Sequence, residues 1–261
     1  MRTISTIYFL SLTIFAYSQD MPAIERDLLA KYRRIDYWWN YSGDNAKIHK
    51  EDSVDKANKV FQRALTAVAS KYLASLSYPF KRLKHAGLLI ATSDDGRFRV
   101  YSWDAEAGVS MHFSLNVYQW LGGRNVYAKA VDADSVSPGD PGVFCTPMYT
   151  LHTPANTYYL VVNGIVYSTS ESYESIQAYC IDKQKLNDSV RIFKTQSGLV
   201  NSIGFDYDFF SVVDRPERPI HLIEFDPTKK IVRIPVVIEH GAVTRRWILY
   251  KWTGNYFERI R

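Results

Sequence analysis

Apolar side chains recur at steps of three and four over residues 23–41, at Ile24, Leu28, Tyr32, Ile35 and Trp39. That period predicts a helix. Ser42, Gly43, Asp44 and Asn45 break it. A second apolar stripe, Val54, Phe61, Leu65, Val68 and Tyr72, predicts a helix over 53–76. Asp52 or Ser53 is placed to cap it, and Pro79 follows its end. The two segments make a helical hairpin.

Past Leu83 the period drops to two. An apolar strand over 86–92, a turn at Ser93-Asp94-Asp95-Gly96 and a return strand over 97–103 come first. The cleanest alternation runs over 109–120. Val109, Met111, Phe113, Leu115 and Val117 point one way, and Ser110, His112, Ser114, Asn116 and Tyr118 the other. One face on a core and one in water describes an antiparallel sheet. Gly122-Gly123 turns into a strand over 126–131, and 132–142 reads as a polar loop. Asn163-Gly164, between apolar runs at 158–162 and 165–168, predicts a type I′ hairpin turn. Further strands are expected over 175–181, 189–194, 203–211, 220–225, 231–238, 244–252 and 256–260, with Pro235 at an edge or a bulge.

About a dozen strands with no helix between them exclude a parallel α/β sheet. The expected fold is α+β. A helical hairpin (19–83) packs on a large antiparallel β-meander (84–261), as a sandwich or open barrel in one compact domain. A small β-propeller-like arrangement is the alternative.

The chain starts with Met1 and Arg2, an apolar run from Ile4 to Ala16, and a close on Ala16-Tyr17-Ser18. A basic start, an apolar centre and small residues at the end describe a secretory signal peptide, residues 1–18, cut between Ser18 and Gln19. The run is shorter than the roughly 20 residues a bilayer span needs. No later segment reaches that length without charges. The expectation is a secreted or periplasmic protein with no membrane span in the mature chain.

Composition adds little beyond this. Hydrophobic residues at 46% and charged residues at 23% are an ordinary globular balance, and the 19 Tyr lean towards strands. The formal charge is +5, one unit of which is Arg2 in the leader. The basic residues are scattered, the densest groups being Lys81, Arg82 and Lys84, then Lys229 with Lys230, then Arg245 with Arg246. A nucleic-acid binder gathers such charge on one face, so no nucleic acid is expected. In an oxidising compartment Cys145 and Cys180 either form a disulfide or stay as two buried thiols.

The segment SDDGRFRVYSWD at 93–104 resembles one hairpin of a WD-repeat blade, although Trp103-Asp104 is the only Trp-Asp pair. Together with YYLVVNG at 158–164 and WTGNYF at 252–257, it resembles a group of uncharacterised secreted proteins of Gram-negative bacteria. That resemblance implies export and a β-rich fold. It brings no activity, cofactor or catalytic residue.

No His-Glu-x-x-His, Gly-x-Ser-x-Gly or P-loop pattern occurs, and the six His show no metal-ligand spacing. No catalytic residue, metal ligand or cofactor is assigned. Asp132, Asp134 and Asp140 lack the glycine and glutamate of an EF-type calcium loop. The favoured ligand surface is a stripe at period two, Arg97, Arg99, Tyr101 and Trp103; His112, on the polar face of its own strand between Ser110 and Ser114, is a further candidate. Guanidinium and aromatic groups so arranged stack on a sugar or grip an anionic partner. Tyr37, Trp38, Trp39 and Tyr41 form a second aromatic cluster. The expected function is therefore a non-catalytic envelope or extracellular binding module for protein or glycan. The alternative is a secreted carboxylate-dependent, glycosidase-like hydrolase. Asp206 and Asp208 share one strand face about 7 Å apart, a separation within the range of glycosidase pairs.

Overall fold

Asp20 caps the first helix: its Oδ1 accepts the Ala23 N–H at 3.0 Å, and Pro22 fills the first turn, where no N–H is needed. This helix, α1 (Met21–Trp39), buries Met21, Glu25, Leu28 and Ile35. The computed structural model describes residues 20–43, 46–108, 110–131 and 140–260. The expected leader and its cleavage point, Asp44 and Asn45 of the first break, Val109, and Asp132 and Asp134 lie outside the described residues.

The second helix, α2 (Ala46–Lys71), starts earlier and stops sooner than its apolar stripe predicts. Its first turns are polar and carry no period to read, so Asp52 and Ser53 sit inside the helix rather than at its cap. A 3-10 turn (Leu73–Leu76) and a short third helix, α3 (Lys81–His85), follow. The buried Glu25 carboxylate sets α3 in place, accepting the Arg82 N–H at 2.8 Å, the Leu83 N–H at 3.3 Å and the Tyr78 hydroxyl at 3.0 Å. Those N–H groups have no partner within the helix, and an anion is well placed there.

The strands are β1 (Leu89–Thr92), β2 (Phe98–Asp104), β3 (Ser114–Gly122), β4 (Asn125–Ala130), β5 (Phe144–His152), β6 (Thr157–Val166), β7 (Glu171–Asp182), β8 (Lys185–Asn187), β9 (Phe193–Thr195), β10 (Gly198–Val200), β11 (Ser202–Asp208), β12 (Glu224–Asp226), β13 (Ile231–Val237), β14 (Val243–Trp252) and β15 (Phe257–Ile260). They form three sheets. The first is a meander, β1-β2-β3-β4. The middle sheet runs β11-β7-β6-β5, with β8 also on β7. The third runs β10-β9-β15-β14-β13-β12, and β15 pairs with β9 in parallel, the single exception to antiparallel pairing among the described strands.

The sheets stack face to face beneath the helices. Leu28, Ile35, Phe61, Leu65, Tyr101 and Trp103 share the core between helices and first sheet. Phe98, Val100, Tyr159, Val161 and Tyr179 lie between the first and middle sheets. Leu160, Val162, Ile176, Phe193, Val232 and Phe257 lie between the middle and third. Strand β6 feeds both cores, odd residues one way and even residues the other. The result is an α+β sandwich of layers, not a closed barrel and not a ring of blades.

Two expectations are corrected by this arrangement, and one of the two alternatives for the cysteines is excluded. Asn163 and Gly164 are no turn: both lie inside β6, paired to β5 and β7. Asn163 is buried, with its amide 3.2 Å from Gln177 Oε1, and a Cβ on Gly164 would meet the Phe144 ring at 2.2 Å. The chain reverses later, where Ser168 Oγ accepts the Ser170 and Glu171 N–H groups. Secondly, the alternation over 109–120 becomes strand only from Ser114, leaving His112 in the connection before β3. As for the cysteines, Cys145 and Cys180 are free thiols. Cys145 pairs with Asn163 and Cys180 with Tyr158, on opposite sides of β6 and displaced along it. That puts their Cα atoms on the order of 15–20 Å apart, beyond any disulfide's reach. Pro235 does stand at a bulge, where the β13–β14 register shifts between Pro235 and Val237.

Candidate functional site

The stripe on β2 faces inward. Arg99, Tyr101 and Trp103 are 5%, 0% and 1% exposed, turned under the helices. Arg99 Nη1 donates to Ser75 O at 2.6 Å and Tyr78 O at 2.7 Å, and its Nε to Thr92 Oγ1 at 2.8 Å. Trp103 Nε1 donates to Asn58 Oδ1 at 2.9 Å. The Tyr101 hydroxyl lies 2.8 Å from Gln119 Oε1, and burial pushes its pKa up to about 12. These three bind the helical layer to the sheet and offer no ligand surface. The physical reason is that β2 has a covered layer on each side, so period two there separates two cores rather than core from water. Arg97 is exposed, with Nη2 donating to Leu121 O at 3.3 Å. His112 is exposed too, its Nδ1 against the Asp104 carboxylate. Neither continues the buried stripe. Burial also pushes the Cys145 thiol up to about 12, which keeps it protonated and unsuited to nucleophilic attack.

A cleft of about 850 Å³ opens at the end of β11. Alternation along β11 turns Phe205 and Tyr207 towards the third sheet and Asp206 and Asp208 the other way. On β7, Tyr173 stands opposite Asp206 and Glu171 opposite Asp208. Glu171, Asp206 and Asp208 thus converge on one wall, and the lining contains no Lys or Arg. Tyr167 joins them; burial, then the Asp206 charge, hold its hydroxyl above the usual phenol range. The opposite wall carries Phe210, 56% exposed, Ile238, 50% exposed, and His240. An acidic floor beneath a wetted aromatic and a wetted aliphatic suits an amphipathic ligand bearing positive charge or hydroxyl donors.

Two carboxylates shape the walls rather than line a reaction centre. Asp208 Oδ1 accepts the Phe210 N–H at 3.1 Å and so caps the 3-10 turn Phe209–Val212 that presents Phe210. Glu174, next to β11 on β7 and 2% exposed, accepts the Leu222 N–H at 2.7 and 2.9 Å and the Ile223 N–H at 2.6 Å. It ties down the segment between that turn and β12. Burial pushes its carboxyl up to about 7, against the two N–H groups and Arg215, which pull it down.

Gly241 closes the cleft. Its φ of +76° suits glycine, and an added Cβ would meet Asp208 N at 2.7 Å. Period two placed Asp206 and Asp208 on a shared face; nothing local signalled that Phe210, Ile238 and His240 come to meet them, since they arrive by tertiary packing. Among the described residues no group of three or more His, Cys, Asp and Glu is arranged to hold a metal, and no helix is long and apolar enough to cross a membrane. Compared with family models, curated proteins and solved structures, the chain finds no match in any of the three.

Proposed function

We propose that the protein is an exported, non-catalytic binding module that acts in the envelope or outside the cell on a protein or glycan, and that the cleft beside β11 is its ligand surface. The leader at 1–18 supports export. One observation carries the choice of surface: three carboxylates face exposed Phe210 and Ile238 across the cleft, and its described lining holds no Lys or Arg to neutralise them. Asp208 already holds the Phe210 N–H, which favours binding over a hydrolase built on Asp206 and Asp208. The test is a binding screen of glycans and peptides on the purified chain from Gln19, repeated with Phe210→Ala and Asp206→Asn. Each variant is expected to weaken any ligand found by about tenfold, the loss of one good contact. A ligand held equally by both variants overturns the reading, as does turnover of a glycan.

A further inference from the structure

Strand β11 ends the middle sheet, and none of the described strands lies on its outer side. Its register reveals which main-chain groups look outward. Asn201 O accepts the Ala178 N–H at 2.9 Å, and the Phe209 N–H donates to Ser170 O at 2.7 Å. Both bonds join odd-numbered residues to β7. In an antiparallel ladder the intervening residues face away, so Ser202, Gly204 and Asp206 present N–H and C=O groups outward. No bond from another described element reaches them.

The other sheet edges are guarded. α2 packs along β4. β1 abuts β5, where the Asp94 N–H donates to Thr150 Oγ1 at 3.0 Å. β5 carries Pro147 and loses register between Cys145 and Met148. β10 and β12 are three residues each. Shortness, proline, cover and lysine are the usual protections of an edge; Gly241 covers β11 at Asp208, and over Ser202–Asp206 none of them is present. What it has is negative charge, which repels a second copy of the same edge and attracts a basic strand.

A second feature lies alongside. Ile203 and Phe205 of β11, with Ile234, Pro235, Ile248 and Tyr250 of the third sheet, line an apolar groove of about 420 Å³. A strand laid on β11 would send alternate side chains into this groove and the rest towards Asp206 and Glu171.

We infer that β11 takes up, by strand addition, an extended segment of a partner protein in which basic residues alternate with apolar ones. This rests on the reading of the cleft as a ligand surface and narrows its ligand to a peptide. The probe is a fluorescein-labelled peptide of alternating lysine and valine, compared with one N-methylated at every valine and with a glutamate–valine control. Binding of the lysine peptide is expected, with N-methylation weakening it about tenfold or more, the loss of one or two main-chain hydrogen bonds. The glutamate peptide should not bind. Asp206→Pro should lose about tenfold more than Asp206→Asn, because both remove the charge and only proline removes the outward N–H. Equal binding of the N-methylated peptide to the unaltered protein overturns the inference, and so does equal loss in the two variants. Self-association abolished by Asp206→Pro also overturns it, by making a second copy the occupant. If no peptide binds but a glycan does, and Phe210→Ala weakens it, strand addition fails while the cleft reading stands. If Phe210→Ala leaves every ligand untouched, both fall.

Discussion

Strands β2 and β11 are each seven residues long and each sets charged side chains among aromatic ones, yet they end in opposite surroundings. All but the last residue of β2 are buried; β11 buries only Tyr207. Arg99 of β2 has three hydrogen-bond acceptors and is buried, whereas Asp206 of β11 is exposed at a sheet edge. The difference lies in how many layers cover each strand. β2 has helices on one face and the middle sheet on the other. β11 has the third sheet against one face and, beyond its outer edge over Ser202–Asp206, no described strand. A charge in a covered strand becomes structural because an unpaired one would be too costly there. The same charge on an open edge is free to meet a ligand.

This contrast can be broken by measurement, and the largest effect should come from β2. Trp103→Ala empties a core site and removes the hydrogen bond to Asn58, so urea unfolding should register a loss of about 3–5 kcal/mol. Arg99→Met keeps much of the volume but strands Tyr78 O and leaves Ser75 O with the Tyr101 hydroxyl alone, and the same titration should show a loss of about 2–3 kcal/mol. Next comes the latch beside β11. The Glu174 carboxyl stands at about 7 in the folded chain against an ordinary 4.5. Between those values the folded chain keeps a proton that the unfolded chain has lost. Stability should therefore fall as pH rises through that window, by on the order of 3 kcal/mol, and level off above it. Glu174→Gln should flatten that slope; an unchanged slope would place the titration elsewhere. The smallest effect belongs to the cleft surface. Phe210→Ala and Asp206→Asn should shift the unfolding free energy by no more than about 0.5 kcal/mol while weakening ligand binding. A large loss of stability in either would make it part of the core instead.

The helical hairpin and the antiparallel strands were legible because period 3.6 and period 2 survive in the sequence wherever one face is buried. Phe205 and Tyr207 against Asp206 and Asp208 show this directly. Legibility failed where both faces are buried. In β2 the Arg-aromatic stripe looks like a wet face because alternation does not say which layer lies opposite. In β6 the Asn163-Gly164 pair looks like a turn, but Phe144 demands a glycine there and Gln177 and Cys145 occupy the Asn163 amide. The loops that complete the cleft were illegible for another reason. Phe210, Ile238 and His240 are far from Glu171 in sequence and are brought near it by buried carboxylates and a glycine close approach, none of which has a local period. Glu25 and Glu174 do similar work in the two halves, each gathering backbone N–H groups of a distant segment, and neither stands out in the sequence from a surface glutamate.

The most direct test is hydrogen exchange of individual amides along β11, with β2 as the internal reference. A free edge predicts fast exchange at Ser202, Gly204 and Asp206, slow exchange at Ile203, Phe205 and Tyr207, and uniform protection through the interior of β2. Uniform protection along β11 would mean that its outer side is already covered, and the claim that this edge and its cleft form the open surface of the molecule would be contradicted.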